Sequence, residues 1–336
     1  MTQTYVAADA TSVSREDLPI RTATSMMAWR VHEYGPPEVM KFERIRRPDP
    51  SPGEVLVRVK AAGVGLWDGW IRAGRGAQPE PLPLTLGSDL AGEVVAVGPG
   101  VSPPLLGEEI YGVTNPQFVG AYAEYALAAA SMVARKPASL NYIDAAGVPV
   151  VTVTARQSLF DHARLTAGQT VVIHGGAGAV GAYAIQLARQ ADVHVVATAS
   201  ADDAPFVREL GADTVIDYRT QRFEDKVRDA DAVIDLVGGE TQKRSFQVLR
   251  RGGKLISTVS KPDQATARQH GVEAAFFLVK VTTEELTGIA MLIDEGKLRV
   301  GPSMVLPLAE ATQAHRMLEG QQPRPKGKII LATPPL

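Results

Sequence analysis

Val171-Val172-Ile173-His174-Gly175-Gly176-Ala177-Gly178-Ala179-Val180-Gly181 is the stretch that decides the fold. Its first residues, rich in β-branched types, read as a buried parallel strand. Three glycines at spacing G-x-x-G-x-x-G follow, and Ala182-Tyr183-Ala184-Ile185-Gln186-Leu187-Ala188 continues at helical period. Glycine suits such a turn because the backbone must adopt conformations that side chains forbid and let a pyrophosphate approach the helix N-terminus, where free N–H groups and the helix dipole favour negative charge. A glycine triplet alone also fits a merely structural turn. Here Val193-His194-Val195-Val196-Ala197-Thr198 supplies a second strand after the helix, which completes a βαβ unit and favours a dinucleotide site.

Downstream the alternation continues. A helix ends at Leu210-Gly211, and strands are expected at Thr214–Asp217, Ala232–Leu236, Lys254–Thr258 and, last, Ala275–Val281, before a helix from Thr283 stopped by Gly296. This is the pattern of a doubly wound parallel sheet. Upstream the texture differs: Gly53–Ala61 and Ala91–Gly98 alternate as half-buried strands, Glu108–Gly112 and Ala121–Ala126 look like shorter ones, and glycine and proline punctuate them. Residues from Val153 to Leu165 read as a helix leading into the glycine strand. The tail, a helix at Ala309–Leu318 and a strand at Lys328–Leu331, is expected to return to the first domain. The chain is therefore α/β, with a mostly β domain (26–150 and 302–336), a dinucleotide-binding domain (151–301) and a loose polar extension (1–25).

Composition narrows the partners. A net charge of −2, with no block of like charge, makes no electrostatic case for nucleic acid or an anionic membrane, which leaves small molecules. The chain has no cysteine, so disulfides, thiolate catalysis and cysteine-ligated zinc are excluded, and its six histidines show no metal-binding spacing. No apolar run approaches the roughly 20 residues of a membrane span, and the N-terminus lacks a signal-peptide core, so a cytoplasmic protein is expected.

Trp29-Arg30-Val31-His32-Glu33-Tyr34-Gly35, Val59–Val64, Leu86-Gly87-Ser88-Asp89-Leu90-Ala91-Gly92, Thr154-Ala155, His174–Gly181, Leu210-Gly211-Ala212-Asp213 and Gly327-Lys328-Ile329 together resemble the medium-chain dehydrogenase/reductase superfamily, in its zinc-free quinone oxidoreductase branch. The resemblance spans about residues 27 to 333 and implies a groES-like catalytic domain interrupted by a Rossmann domain, with the active site in the cleft between them. Zinc-dependent relatives carry a cysteine after the Gly63-Val64 stretch and Gly-His-Glu where this chain has Gly87-Ser88-Asp89, so both zinc ligands are missing. Quinone oxidoreductase relatives often place an asparagine facing the nicotinamide after the Gly-Val pair; here that position is Gly65, consistent with a lost polar group or with packing against Trp67. Trp70 stands where relatives often have tyrosine, which implies a flatter, more apolar pocket.

The residues expected to bind cofactor are Thr154, Gly175, Gly178, Ala179, Val180, Gly181, Ser200, Tyr218, Arg219, Val237, Phe276 and Phe277. Of the last two, alternation makes one core. Thr154, Tyr122, Asp68 and Trp70 are the catalytic candidates, with water, Thr154 or Tyr122 as proton source; Asp68 reads more readily as a helix cap than as a site group. His174 could touch phosphate, but a hydrogen-bonded structural histidine is the commoner case. The expected reaction is hydride transfer to a quinone or conjugated carbonyl, the alternatives being an enoyl-thioester reductase and a dinucleotide-binding protein with little catalysis. NADPH is expected over NADH, because the second strand ends Ala197-Thr198-Ala199-Ser200 without the acid that would repel a 2′-phosphate, while Tyr218-Arg219 ends the neighbouring third strand. Asp202 and Asp203 count against this preference, as does the absence of a lysine that relatives often carry near position 204. A homodimer is expected through the unpaired edge of the last strand.

Overall fold

The computed structural model describes residues 24–76, 81–301, 303–323 and 327–333. The expected N-terminal extension lies outside the described residues except for Thr24 and Ser25, and Ser25 already opens a strand. Among the described residues the strands form three sheets. β1 (Ser25–Val31) pairs antiparallel with β2 (Met40–Arg46) and with the short β4 (Leu84–Thr85). The alternating stretch becomes β3 (Glu54–Val64), the centre of a seven-stranded sheet. One edge of β3 pairs with β5 (Asp89–Val97), beyond which lie β6 (Glu109–Val113) and β8 (Val133–Arg135). Its other edge is shared by β7 (Tyr125–Ala129) and the C-terminal β16 (Lys328–Ala332), which carries β15 (Ser303–Pro307) outside it. The tail thus returns to the first domain, as its apolar strand implied. The strand expected at Ala121–Ala126 starts only at Tyr125: Ala121–Ala123 instead make isolated contacts to β1, and Tyr122 is driven inward.

Helix α1 (Leu66–Arg72) follows β3, and α2 (Tyr142–Ala146) leads to α3 (Pro149–Arg156), which begins earlier than its expected start at Val153. Pro149 explains the start, since a proline at the first helical position sacrifices no hydrogen bond and has its φ preset. After Arg156 the helix widens into a π-helical segment, Gln157–His162. Then β9 (Thr170–His174), α4 (Ala179–Gln190), β10 (His194–Ala199), α5 (Ala204–Glu209), β11 (Thr214–Asp217), β12 (Ala230–Asp235), α6 (Gly239–Ser245), β13 (Leu249–Ser257), α7 (Gln264–His270), β14 (Glu273–Phe276) and α8 (Thr283–Asp294) alternate. All six strands are parallel in the order β11-β10-β9-β12-β13-β14, the doubly wound arrangement read from the sequence.

The last strand is shorter than expected. Its ladder to β13 ends at Phe276, and the Phe277 ring turns away to stack on His162 at 4.0 Å, while Gln157 bonds the backbone of Lys280. Helix α9 (Ala311–Leu318) packs on the catalytic sheet. One buried cluster covers a face of the parallel sheet with α3, α4 and α8 and reaches Ala61, Ala91 and Tyr111 of the catalytic sheet, so the two domains share apolar core through the α2–α3 segment.

Candidate cofactor cradle and active-site cleft

The glycines are required by contact distances. Gly175 has φ +76°, and a Cβ on Gly181 would stand 2.3 Å from the Gly175 carbonyl oxygen and 2.9 Å from the Gly176 Cα, so the turn and the helix touch backbone to backbone. Gly178 is the N-cap of α4; a Cβ there would meet only the Gly175 oxygen, at 3.2 Å, and otherwise open space. The first-turn amides, Ala179, Val180 and Gly181 among them, have no acceptor within the helix and point out of its end. This cradle follows β9, where the strand order reverses between β9 and β12, and it fits a dinucleotide diphosphate in room, donors and position.

Near the cradle, β11 stops beside β10 and the Tyr218 amide donates to the Ala199 carbonyl. Tyr218 is 59% exposed, and the Arg219 guanidinium lies 5.8 Å from its ring centroid and 3.8 Å from Asp202. Ser200 lies beside them, and its hydroxyl donates to Asp203 at 2.7 Å. His174 is the structural histidine of the commoner reading: fully buried, it meets Thr198 and Ser245, and burial lowers it to about 4.

The loops after β12 and β13 are organised by a residue that sequence reasoning passed over. Asp235 is fully buried and accepts from the amides of Val237 and Gly238, from Gln242 and from Ser257, whose own hydroxyl accepts from the amides of Val259 and Ser260. Val237 is thereby held 50% exposed. A lone carboxylate ending an apolar strand was the available signal. Phe276 and Phe277 are each half-buried, and Phe277 joins the shared core.

Three of the catalytic candidates lie around α1. Tyr122 and Asp68 are both fully buried; the tyrosine hydroxyl donates to Asp68 Oδ2 at 2.8 Å, and the same oxygen accepts from the Gly65 amide at 2.8 Å. Asp68 is thus the third residue of α1 and caps its start, the reading favoured from sequence. Burial pushes its carboxyl up to about 7 against the pull of these donors, and burial likewise raises the Tyr122 hydroxyl. Neither side chain is exposed to solvent. Thr154 is nearly buried on α3, and its hydroxyl proton goes to the Val150 carbonyl at 2.7 Å, so its oxygen can accept but its proton is spent. Trp70 is 40% exposed and, one turn after the exposed Leu66, lines a groove together with Pro36, Ala73 and Leu318. Gly65 is explained by Trp67: a Cβ there would lie 2.3 Å from the indole, whose Nε1–H donates to Ser88 Oγ at 2.9 Å.

The comparisons agree with this geometry. Residues 51–138 match the family model described as alcohol dehydrogenase GroES-like domain, and residues 210–331 match that described as zinc-binding dehydrogenase. The chain is 33% identical to quinone oxidoreductase of Sus scrofa over 86% of this chain and 93% of the relative. It is 31% identical to the chloroplastic NADPH-dependent alkenal/one oxidoreductase of Arabidopsis thaliana, over 91% and 79% of the two. The solved quinone oxidoreductase of Coxiella burnetii superposes with a TM-score of 0.85 at 33% identity, covering 92% of this chain and 99% of the other. A glycine cradle between a groES-like sheet and a six-stranded parallel sheet, matched over nearly the whole length of such relatives, makes this chain a member of the medium-chain dehydrogenase/reductase superfamily, an NAD(P)H-dependent oxidoreductase of its zinc-free quinone oxidoreductase branch.

Proposed function

We propose that the protein reduces quinones or α,β-unsaturated carbonyls with NADPH, without a metal. The observation that carries this reading is the glycine cradle at the start of α4, set at the reversal of strand order. When bound, the reduced nicotinamide supplies the hydride. The chain's own residues bind and orient: the α4 amides hold the diphosphate, the Asp235-anchored loop presents Val237, and the Thr154 oxygen accepts from the carboxamide end. Leu66 and Trp70, both exposed on α1, are assigned to an apolar surface for the electron-poor ring. With Tyr122 and Asp68 buried against each other and the Thr154 proton committed, water is the proton source. Tyr218 and Arg219 support NADPH over NADH, a guanidinium being suited to a 2′-phosphate. Among the described residues no group of three or more histidine, aspartate or glutamate side chains is placed to hold a metal ion.

The test is loss of reduced-nicotinamide absorbance with a panel of quinones, enones and a crotonyl thioester, before and after dialysis against EDTA. Turnover of quinones or enones that survives the chelator is expected. Turnover of the thioester alone, or activity lost together with stoichiometric zinc, would overturn the proposal. It extends to a cytoplasmic homodimer joined at the outer edge of β14, which among the described residues pairs only with β13 and is followed by Leu278, 63% exposed. A monomeric mass in sedimentation at micromolar concentration would refute that assembly. No helix among the described residues is long and apolar enough to cross a membrane.

A further inference from the structure

The buried ion pair between Asp89 and Lys328 takes no part in the reading above. Asp89 opens β5 and Lys328 opens β16; the Nζ to Oδ2 distance is 2.9 Å, and the side chains are 0% and 8% exposed. Such a pair contributes little stability by itself, because the cost of removing two charges from water offsets their attraction, so its use lies in what it holds. The second carboxylate oxygen, Oδ1, accepts from the Val150 amide at 3.1 Å. Val150 is the second residue of α3, whose first-turn amides lack intrahelical acceptors, whose preceding residue Pro149 has no N–H, and whose N-cap Val148 has no side-chain oxygen. A carboxylate of the catalytic sheet therefore supplies the cap that the local sequence lacks. The Val150 carbonyl in turn accepts from the Thr154 hydroxyl one turn later. Above the pair lies the Trp67 indole, its ring centroid 4.5 Å from Lys328 Nζ and its N–H fixed on Ser88 beside Asp89.

We infer that Asp89, clamped by Lys328 beneath the Trp67 ring, is a positioning residue that sets the first turn of α3, and through it Thr154, against the catalytic domain. The inference rests on the proposed function only where Thr154 faces the cofactor. Three segments far apart in the chain meet in this one carboxylate, with α1 against it through Trp67, so the alignment of α3 with α1 depends on it. A misplacement of about 1 Å at such a site lowers turnover by on the order of 100-fold while leaving the diphosphate cradle alone.

The experiment compares wild type, Lys328→Met, Lys328→Arg and the double variant Asp89→Asn with Lys328→Met, which keeps a neutral acceptor for the Val150 amide. Hydrogen exchange in the peptide containing Val150 is read first, because it needs no activity. Turnover of NADPH with 1,4-naphthoquinone and the isotope effect with NADPH deuterated at C4 follow. Lys328→Met should speed exchange at Val150, lower kcat by roughly 10- to 100-fold with the KM for NADPH within about threefold, and raise the isotope effect as hydride transfer becomes limiting. Lys328→Arg and the double variant should recover both protection and most of kcat. Unchanged exchange in Lys328→Met overturns the inference, as does faster exchange with kcat and isotope effect unmoved, which would leave a purely structural pair. If Lys328→Met does not fold, a folded double variant that still loses kcat overturns it and one that retains kcat supports it. A wild type inert with every quinone would refute the proposed function separately, and the exchange comparison would still decide whether Asp89 holds α3.

Discussion

Asp68→Asn should stabilise the catalytic domain more at pH 8 than at pH 5. Asp68 is fully buried, its Oδ2 accepts from the Gly65 amide and the Tyr122 hydroxyl, and its Oδ1 has no hydrogen-bond partner among the described residues. Burial raises the carboxyl from 3.8 to about 7, so between these values the folded chain holds a proton that the unfolded chain has released. Stability from this group is complete below about pH 4 and is lost as pH rises through about 7. Integrated from pH 5 to pH 8 the loss is on the order of 2–3 kcal/mol. Asparagine keeps the accepting oxygen and removes the titration, at a pH-independent cost of about 1–3 kcal/mol for a buried amide without a partner. His174 and His315, lowered by burial to about 4 and about 3, impose the opposite slope, but in both proteins equally, so the difference between variant and wild type isolates Asp68. All three tryptophans, Trp29, Trp67 and Trp70, lie in the catalytic domain, so urea unfolding followed by tryptophan fluorescence reads that domain. The variant-minus-wild-type stability should rise by on the order of 2–3 kcal/mol from pH 5 to pH 8. A difference that stays flat, or falls, would refute a carboxyl raised by burial.

Gly178→Val should weaken cofactor binding at least about tenfold without unfolding the protein, since its branched carbons enter the space open to the diphosphate; unchanged affinity by titration calorimetry would misplace the phosphate site. Gly181→Ala, by contrast, should destabilise the fold itself, because its Cβ would lie 2.3 Å from a backbone oxygen, and a wild-type melting temperature would contradict this. Arg219→Ala should lower the ratio of kcat/KM for NADPH over NADH by about tenfold, the loss of one charge-assisted contact; NADH equal or better in wild type sinks the preference, and an unmoved ratio removes Arg219 from the site. Gly65→Asn should be poorly tolerated alone and rescued by Trp67→Val, because the indole fills the volume an asparagine needs; additive losses measured by thermal melting would show that the two positions do not compete.

Much of this protein was legible in one dimension because local rules determine it. The run Val171–Gly181 specifies strand, turn and helix from β-branched residues and glycine spacing alone, and alternating elements then admit few sheet orders. Boundaries were less readable where long-range partners decide them: β14 ends at Phe276 because β13 offers no further ladder and His162 takes the next ring, although the apolar run continues to Val281. The site divided in the same way. The glycine cradle follows from backbone conformation, which sequence encodes directly. Whether a hydroxyl is available depends instead on what sits within 3 Å of it, and only the tertiary structure showed Tyr122 spent on Asp68, Ser200 on Asp203 and Thr154 on Val150. Asp89 and Lys328 are separated by 239 positions and share no pattern in the chain; their pairing, the indole above them and the helix they hold exist only because the C-terminal strand closes back on β3.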